Sequence, residues 1–144
     1  MSISKLLAVG LVMFASFFAN TASPDGDTWL SYEPSIIELK GRLTTVVKFG
    51  PPNYGENPET DKKLEVPILQ LSEPINVRGD AHSPVNTRSF ENVTEVQLIF
   101  LRAADDYRRF VSKIVIVSGS LSQAVSGHHF TGVVMTVKAI REGK

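Results

Sequence analysis

The least ordinary polar groups in this sequence are Asn53 and Tyr54, in Gly50-Pro51-Pro52-Asn53-Tyr54, and the adjacent His128 and His129, in Gly127-His128-His129-Phe130-Thr131. Imidazoles can ligate a metal, move protons near neutral pH or orient a ligand by hydrogen bonds. Metal binding fits poorly. Neighbouring residues on an extended chain point to opposite faces, so His128 and His129 cannot grip one ion without a kink. A third ligand would have to come from His82 or from a carboxylate such as Asp80, Glu56 or Glu59, and none stands at a spacing that brings ligands onto one face. No metal and no cofactor are expected.

Catalysis has as little support. The chain has no cysteine and no serine in a G-x-S-x-G turn. Ser118-Gly119-Ser120 reads as a bent strand, and Asp105-Asp106 as the capped start of a helix. No catalytic residue is expected, and recognition remains. Tyr54 offers a flat amphipathic surface, while Asn53, His128, His129 and Thr131 offer hydrogen-bonding groups. Those five residues form the candidate ligand-binding face. The competing reading makes Pro-Pro-Asn-Tyr a stiff turn and the histidine pair the close of a hairpin, one ring bonded inward and one exposed.

These residues must be positioned by a single domain. The chain has 144 residues, 42% of them hydrophobic, with 15 Lys and Arg against 15 Asp and Glu. A formal charge of zero lacks the basic field that nucleic-acid binding draws on, so no nucleic-acid partner is expected. Residues 1–22 carry one cation, Lys5, then an apolar stretch over 6–19 and small residues, the pattern of a secretory signal peptide. Its 14 apolar-stretch residues fall short of the roughly 20 that cross a bilayer. Cleavage near Ala22 removes 22 of 144 residues and one of 15 cations; 122 residues with a net charge of −1 remain, as one domain over 23–144. No stable membrane insertion is expected after cleavage.

Alternation of apolar and polar residues predicts five strands, at 35–49, 66–71, 93–101, 113–121 and 132–140. Gly41 interrupts the first on its apolar parity and marks a bend, and Gly119 marks another in the fourth. A short helix is predicted over 103–112, where Tyr107, Phe110 and Val111 fall on one face. An all-β chain with one short helix between its third and fourth strands has the connectivity of a five-stranded OB-fold-like Greek-key barrel. In that barrel the loops after the first and fourth strands flank the ligand face. They are residues 50–65 and 122–131, the two that hold the candidate residues.

With its motifs in view, the chain resembles a family of small secreted bacterial proteins classed as a domain of unknown function. The resemblance rests on Tyr32-Glu33-Pro34, Leu39-Lys40-Gly41-Arg42-Leu43, Gly50-Pro51-Pro52-Asn53-Tyr54, Ile68-Leu69-Gln70-Leu71 with Pro74-Ile75, Val96-Gln97-Leu98, and Gly119-Ser120-Leu121 leading to Gly127-His128-His129-Phe130-Thr131. Members usually carry a third histidine where this chain has Phe130, which weakens a three-histidine metal site further. Related domains occur beside lysozyme-inhibitor-like modules in envelope proteins. The resemblance implies a periplasmic or secreted binding module, with an envelope protein or a glycan as its partner. The alternatives are a protein inhibitor or immunity protein acting on an envelope-targeting enzyme, and a histidine-dependent metal protein or hydrolase.

Overall fold

The computed structural model describes residues 28–102 and 106–144. The expected signal peptide lies outside the described residues. Six strands follow one another: β1 (Trp29–Ser31), β2 (Ile37–Phe49), β3 (Lys63–Arg78), β4 (Phe90–Ile99), β5 (Ile114–Gln123) and β6 (Val133–Glu142). Five of them close a barrel in the order β2-β3-β4-β6-β5 and back to β2. Every pairing around it is antiparallel except β4 with β6. This is the OB-fold arrangement expected from the strand order, and closure removes the open sheet edges of those five strands.

Barrel closure depends on β2 pairing on both sides. Its first half pairs with β5, from Ile37 opposite Gly119 to Arg42 opposite Ile114, and its second half with β3, from Gly41 opposite Leu71 to Phe49 opposite Lys63. Gly41 sits where the two ladders overlap. A Cβ there would lie 2.2 Å from the Gln70 carbonyl oxygen, so only glycine permits the approach. Gly119 plays the same part in β5, where the β5–β6 register slips between Ser118 and Gly119 and a Cβ would meet the Thr136 carbonyl.

Inside the barrel, Leu43, Leu69, Val96, Leu98, Val117, Leu121 and Met135 pack together, with Phe110 at the edge of the cluster. Tyr32 closes the cluster with its hydroxyl donating to the Arg88 carbonyl at 2.8 Å, and burial pushes its phenol pKa up, with Arg88 opposing.

The structure corrects several details of the sequence reading. The expected helix over 103–112 is a single 3-10 turn, Tyr107–Phe110, with residues 103–105 outside the described residues. Asp106 caps it by accepting the Arg108 N–H at 3.2 Å, and the chain then turns sharply through Ser112, at φ 68°, to begin β5. Four residues suffice to carry Phe110 into the core, so nothing selects a longer helix. β1 was not expected; three residues are too few to show a period, and they are held by parallel pairing of Trp29–Ser31 with Asn76, Val77 and Arg78. Val47, on the apolar parity of β2, is 64% exposed. The β2–β5 ladder stops at Arg42 and the β3–β4 ladder at Ile68, the partner of Thr44, so beyond Thr44 β2 and β3 run on as a two-stranded arm without a third layer over Val47.

Gly41→Ala should destabilise the barrel by roughly 2–3 kcal/mol, because the clash is with main chain that cannot rotate away. A thermal melt should show a Tm lower by roughly 6–12 °C; an unchanged Tm would contradict this account of the bend.

Candidate functional site

The β2–β3 arm ends in a loop, residues 50–62, built around one carboxylate. Asp61 is only 6% exposed. Its Oδ1 accepts the Asn53 N–H at 2.8 Å and the Asn53 side-chain amide at 3.2 Å, and its Oδ2 accepts the N–H groups of Gly55 at 2.7 Å and Asn57 at 3.2 Å. Burial by itself pushes the Asp61 carboxyl pKa up, but these four bonds more than reverse that and hold it below the ordinary aspartate value. The clamp fixes Tyr54 at φ 52°, a left-handed conformation that costs a non-glycine residue roughly 1–2 kcal/mol. The strained residue keeps its side chain half exposed.

The second loop, residues 124–132 between β5 and β6, is built around an amide. Gln97 lies on β4 opposite Ile68 of β3 and Val134 of β6, a row adjoining the inward pairs Leu69–Val96 and Leu98–Met135. That row therefore faces outward, yet Ile68, Gln97 and Val134 are all buried. The loop lies over Gln97. Gln97 Nε2 donates to the His128 carbonyl at 2.9 Å, and its Oε1 accepts the Phe130 N–H at 2.7 Å. Its main-chain N–H donates to Thr131 Oγ1 at 2.9 Å, and that hydroxyl donates to the Val133 carbonyl at 2.6 Å.

The two loops meet. The Tyr54 and His128 rings are 6.3 Å apart between centroids, inclined at 60°. A Cβ on Gly127 would lie 3.2 Å from the Tyr54 ring, so a residue without a side chain lets the tyrosine settle against the second loop. Of the five candidate residues, Tyr54 and His128 stand together with exposed side chains. Asn53 is exposed beside them with its amide nitrogen engaged by Asp61. The other two have an inward role. His129 Nδ1 accepts the Val125 N–H at 3.0 Å, which requires the hydrogen of the neutral ring to sit on Nε2, and the Thr131 hydroxyl is engaged twice. His82 is on the loop after β3, where its N–H donates to Asp80 Oδ1. Among the described residues no three His, Asp or Glu side chains are grouped to hold a metal ion.

Asp61 and Gln97, the two residues that position the site, carry weak sequence signals. Asp61 closes a Pro- and Gly-rich turn, a common aspartate setting. Gln97 interrupts the apolar run Val96-Gln97-Leu98 on the parity that strand alternation assigns to solvent.

Fold and site together define an OB-fold barrel whose β2–β3 and β5–β6 loops are each held by a buried polar side chain and form one common rim. Residues 95–141, from β4 through β6, match the model of a family described as Domain of unknown function (DUF4431). The match takes in Gln97, His128, His129 and Thr131 and stops short of Asn53, Tyr54 and Asp61. No curated protein and no solved structure matches the chain.

Because the folded Asp61 pKa lies below its unfolded value, the clamp contributes fully above about pH 4 and is lost as pH falls through the depressed folded value. Hydrogen exchange, corrected for intrinsic rates, should show the Gly55 and Asn57 amides protected at neutral pH and opening on acidification. In Asp61→Asn that acid step should be absent. Equal protection at both extremes in the unaltered protein would contradict the clamp.

Proposed function

We propose that this chain is a periplasmic or secreted, non-catalytic binding module that engages an envelope protein or a glycan through the rim formed by Tyr54, His128 and Asn53. The observation that carries the proposal is the contrast between exposure and fixation. Exposed aromatic and imidazole groups on free loops would lose conformational entropy on binding, whereas here each loop is already held from below, by Asp61 and by Gln97. Tyr54 supplies contact area with few rotatable bonds, and His128 and the Asn53 carbonyl oxygen supply directional hydrogen bonds. His129 and Thr131 act beneath the rim. Export is supported by Lys5 and the apolar stretch at 6–19, and no helix among the described residues is long and apolar enough to cross a membrane.

One observation favours a protein partner, and with it the reading as an inhibitor or immunity protein. Small molecules bind in concave sites. The three cavities of about 290, 320 and 590 Å³ on the described surface are lined by residues outside 50–62 and 124–132. A preorganised rim with exposed rings suits contact with another protein.

Tyr54→Ala and His128→Ala should leave Tm within about 2 °C of the unaltered protein, since both side chains are exposed. Each should abolish retention of whichever envelope hydrolase or arrayed glycan the unaltered protein holds. Retention unaffected by both substitutions, or a large fall in Tm from either, would contradict the proposal.

A further inference from the structure

The 590 Å³ cavity shares no lining residue with the rim and lies between the β1–β2 connection and the loop that follows β3. Its size falls within the range of small-ligand sites, about 300–1,000 Å³. Three formal charges of both signs line it: Arg78, Glu33 and Asp80. These three make no ion pair among the described residues.

Their surroundings are built to hold them. The Arg78 guanidinium carbon sits over the Trp29 ring, 4.7 Å from its centroid, and the ring holds the cation in place without using up its N–H donors, which stay available to an anion. Glu33 Oε1 accepts the amide of Asn86, a residue only 4% exposed. Asn86 in turn accepts the Gln123 N–H at 2.8 Å through Oδ1 and the Asp80 N–H at 2.8 Å through its carbonyl. Asp80 Oδ1 accepts the His82 N–H, and Gly79 donates its N–H to Ser89. One buried asparagine, through its side-chain amide and its main-chain carbonyl, thus ties the acidic wall on the connection, the loop carrying Asp80, and β5 into a single unit.

From this arrangement we infer a second binding site, independent of the rim, for a small zwitterion: an amino acid or a short peptide with both ends free. Arg78 receives the carboxylate by paired N–H···O bonds, and Glu33 and Asp80 receive the ammonium group. A ligand with only one charge would leave the opposite pole of the cleft uncompensated.

The test is an amide NMR titration of the purified protein with L-alanine, with L-alanyl-L-alanine, and with the dipeptide acetylated at its N-terminus and amidated at its C-terminus. Saturable shifts at Gly79, Asp80 and Ser83 with one or both free zwitterions, and none with the blocked dipeptide, are the expected result. Which free ligand binds more tightly assigns the source as amino acid or peptide. Arg78→Gln and Glu33→Gln should each weaken binding by about tenfold or more. Tyr54→Ala should leave it unchanged, so the fate of this site is read apart from that of the rim. Absence of saturable shifts with both free ligands, equal binding of the blocked dipeptide, or shifts confined to other regions would overturn the inference.

Discussion

The rim depends on one buried amide. Gln97 points outward from β4, where an OB barrel ordinarily presents its ligand face, and uses both ends of its side chain to hold residues 124–132 down on the barrel. A polar group at that depth costs about 1–3 kcal/mol when left without partners. The loop supplies both partners, so the loop and the amide stabilise each other. Ile68 and Val134, opposite Gln97 in the same row, are buried outside the main core. For the proposed function the consequence is a displacement: the loop lies over the strand surface at Gln97, and the exposed groups Tyr54 and His128 are at the loop tips.

Asp61 does for the first loop what Gln97 does for the second. Its four accepted hydrogen bonds offset the desolvation of the carboxylate and the left-handed backbone of Tyr54. Both anchors place a buried polar atom under an exposed ring, and the two rings meet because neither loop is free to drift. Among the described residues no buried side-chain nitrogen or oxygen lacks a partner, which agrees with loops that are closed structures.

Much of the barrel was legible in the sequence, and for a physical reason. Strands that bury one face repeat every second residue, so the alternation in residues 35–49 and 132–140 reports both the element and the face it buries. Gly41 and Gly119 were readable as bends because close main-chain approach leaves no other residue type possible. The limits are equally physical. β1 is too short for a period, the turn at Tyr107–Phe110 borrows its order from Phe110 in the core, and Val47 faces a layer that the strand lengths never provide.

The candidate residues were readable as types but not as roles. Motif and loop position brought Tyr54 and His128 forward, and topology predicted that their loops would adjoin. Nothing in the spacing distinguished His128 from His129; the difference arises because the Val125 N–H reaches His129 Nδ1. Asp61 and Gln97 escaped notice because a buried hydrogen-bond anchor has no periodic signature. Gln97 is defined by a partner 31 residues away, His128, and Asp61 by N–H groups four to eight residues back in a loop that has no repeat.

The most direct test of the account is the proximity of Tyr54 to Gly127 and its dependence on Gln97. Nuclear Overhauser contacts between the Tyr54 ring protons and the Gly127 Hα protons should be present in the unaltered protein and lost in Gln97→Leu, while the barrel resonances of Leu43, Leu69 and Val117 persist. Contacts absent from the unaltered protein, or surviving in Gln97→Leu, would contradict it.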